Sequence, residues 1–536
     1  MLLSDIISAK QINLFKKKQK IKYITSNSKL VKNNSIFVTD FKKEIKEKYI
    51  KEAIKKGVVL ILTNKRIKNI QTPQLIKTNL DKKVDEILNK LAPNPPKKVI
   101  AITGTNGKTS VVWLISNILK LLKQNIKSLG TLGYFDNLKK LNDSFLTTPE
   151  KEEIHQFSFT KLKNNKIFIF EASSHGISKN RIKNLPINIA AITNVTQDHL
   201  DYHKTFKQYK NTKFQLFLKY LNKDGTAILN DNIEGINLLK EKLKKKKIKF
   251  ITYGKNKSNV NCSINNKKTI IKINSKIYLT NYKTTYNFEL ENLSCAISCL
   301  LPVGFEIKEI IKFLEKIKTP KGRVQLVKKI ENGAKIFVDY AHTPDALKNI
   351  LCNEKNNIKP SIVFGCGGNR DKSKRSEMGK IANKYANKVY ITDDNPRNEN
   401  PKLIRNQIHK HCSRAYNIGN RSEAIEFAIK DIDPKDILII AGKGHENKQI
   451  VKKKNIFFDD YIIATGKSVS LKKIIDLSFK RFKLDWKKFT KVNKTYFRRF
   501  EIYQNQANIT KLKTNIDWEP KKNYLDIIKE LTVKEN

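Results

Sequence analysis

The sequence predicts an α/β protein of several domains built on open parallel sheets, and three observations carry that reading. Strands of fully apolar character alternate with amphipathic helical stretches over most of the chain. One such strand runs into a glycine-rich turn that opens directly into an apolar helix. The length of 536 residues also exceeds what one hydrophobic core usually holds.

The first 95 residues alternate short β-rich runs, at 36–38 and 58–62, with a lysine-rich amphipathic helix around 48–56. They close on Pro93-Asn94-Pro95-Pro96, which reads as a linker. From Lys98 a buried strand (99–102), a glycine turn (104–108) and an apolar helix (111–122) follow in immediate succession. Further buried strands are expected at 167–170, 189–192, 336–338, 361–364, 388–391 and 437–441, mostly separated by helices, hence the parallel sheets. Boundaries are expected near Thr319-Pro320-Lys321-Gly322 and near Gly466, which divides the chain into 1–95, 96–320, 321–465 and 466–536. No internal repeat is present.

Composition narrows the function. Hydrophobic residues make up 39% of the chain, so it has the means to fold. Lysine and arginine outnumber acids 107 to 50, a net charge of +57 that would suit nucleic acid. The lysines are scattered, however, with one dense run at 244–247, and alongside excess Ile and Asn they read as a compositional bias. No nucleic-acid partner is expected, although an acidic, phosphate-bearing substrate would still be drawn by the field. Six cysteines show neither a CxxC pair nor zinc spacing, which suits a reducing cytoplasm. No run reaches the roughly 18 apolar residues that span a bilayer, and the N-terminus lacks a signal core, so no membrane association is expected.

Gly104-Thr105-Asn106-Gly107-Lys108-Thr109 lies between a strand and a helix, the context that a phosphate cradle requires. The glycines let backbone N–H groups approach phosphate oxygens, Lys108 neutralises charge, and the Thr109 hydroxyl is a magnesium ligand in kind. ATP is the natural ligand. The turn is two residues shorter than the general GxxxxGK[ST] pattern, which points to a short-loop subclass. Glu171 ends a strand, where its carboxylate faces the ligand edge of a parallel sheet. The loop from Thr193 to His203 crowds two acids and two histidines after another strand, an arrangement that serves equally to cap a turn. Lys213 follows His199 by fourteen residues, and spacing alone does not separate it from any surface lysine.

Taken together, GTNGKTS (104–110), EASSHG (171–176), TNVTQDHLDYH (193–203), GRVQ (322–325), DYAHTPDAL (339–347), FGCGGNRDKSKR (364–375), DNPR (394–397) and AGKGHE (441–446) resemble the Mur ligase family. The resemblance covers roughly residues 20–465. It implies a three-domain architecture: a UDP-sugar-binding N-terminal domain, a central P-loop ATPase domain on a parallel sheet, and a Rossmann-like C-terminal domain that binds the amino acid. It implies a cytoplasmic, monomeric enzyme of peptidoglycan synthesis using ATP and Mg2+, with UDP-N-acetylmuramoyl-L-alanyl-D-glutamate and meso-diaminopimelate as substrates.

By the same resemblance, Gly104 to Ser110, Asn292, Arg323 and Asp339 contact the nucleotide, while His342 lies in the same motif as Asp339. Thr109, Glu171, His199 and Lys213 hold magnesium, Lys213 as N6-carboxylysine, and Lys108, Glu171, His199 and Lys213 form the catalytic set. Carbamylation would turn a cation into an anionic oxygen ligand. Ser28 resembles the uridine contact, and Thr147, Thr148, Ser173 and Arg181 resemble contacts to the muramoyl dipeptide. The usual glutamine before that arginine is Lys179 here, and the glycine-rich stretch after Phe37-Val38 is missing. Asp394, Asn395, Pro396 and Arg397 form the diaminopimelate signature, because Arg397 can fork onto the distal carboxylate that lysine lacks. Arg370, Gly442 and Glu446 complete that pocket, and Asn369 replaces the family's usual aspartate.

Beyond Phe457-Phe458-Asp459-Asp460 the chain continues past the usual end of the family. Ala464 to Ser470, Leu484-Asp485-Trp486, Tyr496-Phe497-Arg498 and Ile516 to Pro520 resemble the C-terminal end of the GDP-mannose 4,6-dehydratases. Glu501 matches a sugar-nucleotide contact there, whereas Arg499 replaces a proline. The tail carries no dinucleotide fold and no catalytic Tyr-Lys pair, so a short α/β appendage without dehydratase activity is expected. The competing functions are an L-lysine-adding ligase, a folylpolyglutamate synthase-like ligase and, from another class, a catalytically silent scaffold.

Overall fold

In the computed structural model the described residues are 2–6, 19–41, 47–255, 257–265, 268–284, 286–352, 359–452, 454–457, 468–491, 507–510, 513 and 519–532. The chain folds as two compact units, Met1–Glu446 with Ile450–Lys454, and Asn447–Gln449 with Asn455–Asn536.

The first unit begins with a four-stranded parallel sheet, Tyr23–Thr25, Ser35–Thr39, Val58–Thr63 and Gln74–Ile76, in that spatial order. The helix Leu80–Leu91 forms because Leu80, Val84, Ile87, Leu88 and Leu91 recur at helical spacing and Asn79 caps its first turn by accepting from Lys82 N. That stripe packs on Ile24, Ile36, Leu60 and Leu62, while Ile50 and Ala53 of the Glu47–Lys55 helix cover the other face of the sheet.

Eleven strands form the central sheet. Its heart is parallel, in the order Lys249–Tyr253, Leu221–Asn230, Ile187–Ile192, Lys98–Thr103, Ile167–Glu171 and Ile126–Gly130. Here Val99, Ile100, Ala101 and Ile102 are all fully buried, as strands covered on both faces must be. Beyond the open parallel sheet expected, both edges are antiparallel. Gly133–Asp136 and Lys139–Asn142 extend one side; Lys268–Ile273 and Lys276–Thr280 fold back from Val260–Asn265 on the other. These runs are short, and Lys139–Asn142 and Lys276–Thr280 are largely exposed, which antiparallel strands tolerate and parallel ones do not. Helices Lys108–Leu121 and Asn287–Leu300 cover one face; Phe168 and Phe170 share the other with Leu239 and Leu243.

The third sheet runs Gln325–Lys329, Lys335–Val338, Ile437–Ile440, Ser361–Phe364, Val389–Ile391, Tyr416–Asn417, all parallel except the first pair. Helices Pro344–Leu351, Lys374–Tyr385 and Pro401–His409 lie on one face and Arg421–Lys430 on the other, a doubly wound layer arrangement.

The second unit contains two helices in contact, Leu471–Arg481, capped by Ser470, and Tyr524–Leu531, closed by an Asn523/Asp526 capping box. Among its described residues the buried ones are Gln449, Ile509 and Ile528. Asp485 accepts from Lys487 N and so shapes the turn at Trp486. The expected boundary at Gly466 and the tail positions Tyr496, Phe497, Arg498, Arg499, Glu501, Ile516, Asp517 and Trp518 lie outside the described residues. No described helix is long and apolar enough to cross a membrane.

Candidate active site

The phosphate loop is built by two adjacent strands. Lys98–Thr103 delivers Gly104 and Ile187–Ile192 delivers Thr193 and Asn194 beside it. Thr105 N donates to Asn194 O at 3.0 Å and Asn106 N to Asn194 Oδ1 at 2.8 Å. A Cβ on Gly104 would fall 1.8 Å from Thr193 Oγ1, and one on Gly107, at φ +83°, would fall 2.4 Å from Asn292 Oδ1, so only glycine fits either position. Lys108 Nζ donates to the carbonyls of Gly104 and Thr105, both at 2.8 Å. Lys213 Nζ donates to the same Gly104 carbonyl, also at 2.8 Å.

Two amines therefore share one acceptor. Lys213 is 1% exposed and lies 4.4 Å from the centre of the Tyr209 ring, whose hydroxyl meets Thr105 Oγ1 at 3.0 Å. Burial, reinforced by Lys108, holds the Lys213 amine well below its ordinary range, with Asp198 opposing. Burial lowers Lys108 as well, against the pull of Glu171 and Asp198.

Glu171 is 1% exposed; its Oε1 accepts from Thr109 Oγ1 at 3.0 Å and Thr131 N at 2.8 Å, and its Oε2 accepts from Thr131 Oγ1 at 3.1 Å. A buried hydroxyl and carboxylate side by side at a helix N-terminus are hard oxygen donors of the kind magnesium takes. His199 adopts φ +55° and lies 3.4 Å from Asp198. Burial pulls its imidazole down to about 3, so at neutral pH it presents a lone pair. No three His, Cys, Asp or Glu side chains converge as a metal site among the described residues. The ligand set implied by the resemblance thus depends on converting Lys213 into an acid.

Arg323 Nη2 donates to Thr109 Oγ1 at 3.3 Å, and its guanidinium stacks 4.2 Å from the centre of the Tyr340 ring. Asp339 Oδ2 accepts from Val324 N at 2.8 Å and its Oδ1 from Ala341 N at 2.7 Å, so this carboxylate folds the loop that carries Arg323. Val324 is held at φ +43°, a strained value for a β-branched residue. His342 Nδ1 meets Tyr340 O at 2.8 Å. Ser110 continues the helix, and Asn292 is 8% exposed beside Gly107.

The dipeptide residues form one network attached to Glu171. Thr148 Oγ1 donates to Glu171 O at 2.7 Å and lies 2.9 Å from Ser173 Oγ; Arg181 Nη1 donates to Thr148 O at 3.0 Å and pairs with Glu150 at 2.6 Å. Thr147 reaches Thr131 at 3.3 Å. Ser28 lies apart, opening the short 3-10 turn Ser28–Leu30 between the first two strands of the N-terminal sheet, where it donates to Glu52 Oε2 at 2.8 Å.

Three loops from adjacent strands meet in the C-terminal sheet. Arg370 follows Ser361–Phe364, Asp394 to Arg397 follow Val389–Ile391, and Gly442 and Glu446 follow Ile437–Ile440. Arg397 Nη1 donates to Gly368 O at 2.8 Å; burial, with Arg370 facing it, lowers its pKa. Asp394 is 8% exposed, and its Oδ2 has no hydrogen-bond partner among the described residues. A Cβ on Gly442, at φ +103°, would come within 2.9 Å of that oxygen. Glu446 Oε1 accepts from the Tyr340 hydroxyl at 3.2 Å. Asn369, at φ +52°, keeps an acceptor on Asn398 N at 3.0 Å. Arg370 reaches Asp201 at 3.7 Å, and Asn106 Nδ2 reaches Asp345 at 3.0 Å, so this sheet faces the phosphate loop.

Sequence reasoning did not single out Thr131, Tyr340, Arg375 or Lys443. Arg375, 1% exposed, ties Gly367 O to Glu399 and Gln407. Its position inside the stretch 364–375 was the available signal.

Residues 102–300 match the Mur ligase middle domain and residues 322–444 the Mur ligase glutamate ligase domain. A Rickettsia montanensis protein named UDP-N-acetylmuramoyl-L-alanyl-D-glutamate--2,6-diaminopimelate ligase is 41% identical over 463 residues, covering 82% of this chain and 94% of that one. A solved structure of a ligase of the same name has a TM-score of 0.55 at 26% identity over 86% of this chain and 96% of its own. MurF ligase from Thermotoga maritima, solved with ADP, shares the fold at a TM-score of 0.58 and 16% identity, covering 78% of this chain and 93% of that one. With both domains matched and kinship of this depth spanning four-fifths of its length, the chain belongs to the Mur ligase family.

Proposed function

We propose that this chain uses ATP to join meso-diaminopimelate to the D-glutamyl γ-carboxylate of UDP-N-acetylmuramoyl-L-alanyl-D-glutamate, in the cytoplasm and as a monomer, for peptidoglycan synthesis. One observation carries the choice of amino acid. Arg397 and Arg370 face each other beside Asp394, whose Oδ2 has no hydrogen-bond partner among the described residues, a pocket polarised for a group bearing both a carboxylate and an ammonium. L-Lysine offers the ammonium without the distal carboxylate.

A γ-carboxylate oxygen attacks the γ-phosphorus of ATP, the bond to ADP breaks, and an acyl phosphate results. The diaminopimelate amine then attacks the acyl carbon, loses a proton, and phosphate leaves. Lys108 is poised for the first step. It donates to two backbone carbonyls that it can exchange for phosphate oxygens, and the helix N-terminus adds its dipole. Arg323, reaching across to Thr109, neutralises charge from the C-terminal side. Thr148, Ser173 and Arg181 hold the dipeptide close to Glu171.

Magnesium, when bound, supplies further charge neutralisation; Thr109 and Glu171 would hold one ion, and Glu171, His199 and carbamylated Lys213 a second. Lys213 suits carbamylation because burial and the neighbouring Lys108 weaken its hold on a proton and so favour the neutral, nucleophilic amine. The nitrogen lone pair adds to the carbon of CO2, a C=O electron pair moves onto oxygen, and a proton leaves to solvent.

The test is phosphate release and product mass with ATP, magnesium and the UDP-dipeptide, offering meso-diaminopimelate and L-lysine in parallel. Turnover with diaminopimelate alone is expected. Turnover with lysine would keep the ligase and overturn the pocket assignment, whereas silence with both would favour the scaffold reading.

A further inference from the structure

We infer that Lys443 is a positioning residue of the amino-acid pocket, which acts by fixing Asn395 and Glu446 in the orientation that the incoming amino acid meets. The inference rests on the ligase reading above and concerns a side chain to which that reading gives no role.

Lys443 follows Gly442 on the loop after the Ile437–Ile440 strand and is 6% exposed. Its ammonium is 2.6 Å from Asn395 Oδ1, 3.3 Å from Glu446 Oε2 and 3.9 Å from Asp394 Oδ1. It therefore touches two of the three loops that build the pocket. Asn395 Oδ1 also accepts from Ile450 N at 2.7 Å. With two donors on its oxygen, the amide has only one orientation, and that orientation turns Nδ2 toward Glu446 Oε2 at 3.5 Å. The other carboxylate oxygen of Glu446 is held by Tyr340. Both oxygens of Glu446 are thus fixed before any substrate arrives, and Lys443 lies within hydrogen-bond distance of Asn395 and Glu446 together. A buried charge paired in this way orders its partners, and removing it leaves Glu446 facing a site with one fewer donor.

Three Michaelis constants of Lys443→Met, which keeps the aliphatic stem, are the measurement. The expected result is an increase of about 10- to 100-fold in KM for meso-diaminopimelate, the loss of one charged hydrogen bond. KM for ATP and for the UDP-dipeptide stay within about twofold, as befits a residue that acts through Asn395 and Glu446 of the amino-acid pocket. Lys443→Arg, which restores a donor and a charge, recovers most of the loss. On a Glu446→Gln background, Lys443→Met adds less than about threefold, because both act through the same carboxylate. An unchanged KM for diaminopimelate would overturn the inference, as would a parallel collapse of all three constants with the melting temperature, or full additivity with Glu446→Gln. If Lys443→Met does not fold, the Lys443→Arg and Glu446→Gln pair still reads the coupling. A wild-type enzyme silent with diaminopimelate would be seen before any variant is made, and would sink the ligase reading rather than this one alone.

Discussion

At the nucleotide end, the functional side chains rest on backbone: Lys108 and Lys213 donate to carbonyls of residues 104 and 105, and Thr109 sits in the first turn of a helix. At the amino-acid end, side chains rest on one another. Asn395 is held by Lys443, Glu446 by Tyr340 and Lys443, and Arg375 by Glu399 and Gln407. The difference separates chemistry from selectivity. A backbone cradle is fixed by the strand–turn–helix itself and tolerates few substitutions, while a side-chain pocket can be retuned one contact at a time.

The largest effect should come from the cradle. Lys213→Met is expected to lower turnover at least about 100-fold, since it removes both an amine and the carbamate it can form. It should also stabilise the fold. Unfolded, Lys213 titrates near its ordinary 10.5, and folded it titrates well below, so between those values the unfolded state holds a proton that the folded state lacks. Wild-type stability therefore falls as pH drops through that window, and the variant is free of this penalty. In CO2-free buffer, thermal melts should show Lys213→Met ahead at pH 7 and the gap closing toward pH 10.5. A variant melting below wild type at pH 7 would mean that the amine is stabilised where it lies.

The pocket should respond more selectively. Arg397→Met is expected to increase KM for diaminopimelate by about 10- to 100-fold while leaving KM for ATP within about twofold, and to narrow the preference over L-lysine. Equal losses for diaminopimelate and lysine would show that Arg397 holds the loop through Gly368 O rather than reading the distal carboxylate.

What the sequence could foretell follows the same division. The cradle is local, six consecutive residues whose reading followed from glycine spacing set between a strand and a helix. Lys213 was indistinguishable from a surface lysine because its burial is produced by Tyr209 and by Gly104, the latter 109 positions away. The parallel heart of the central sheet was readable from runs such as Val99 to Ile102. The antiparallel edges were less legible: Lys139–Asn142 is almost wholly polar, and Val260–Asn265, although it alternates apolar and polar residues as a half-buried strand does, carries nothing that names its partner or direction. Lys443 escaped for a further reason: its role lies in which loop it touches, and loops 48 residues apart in sequence meet only in the folded sheet.

The smallest effect concerns Asn369, where the family usually has aspartate. At φ +52° the position suits either residue. Its Oδ1 accepts from Asn398 N, an interaction that a carboxylate oxygen would keep. Its own N–H donates to Glu399, which Arg375 already balances, so an added charge meets a neighbourhood that is partly exposed and rich in arginine. Asn369→Asp is therefore expected to change KM for diaminopimelate by less than about twofold and the melting temperature by about 2 °C or less. A gain in affinity of tenfold would mean instead that the asparagine leaves Arg370 poorly aimed. The amino-acid pocket would then be operating below what its own contacts allow, while the cradle across from it is built without such slack.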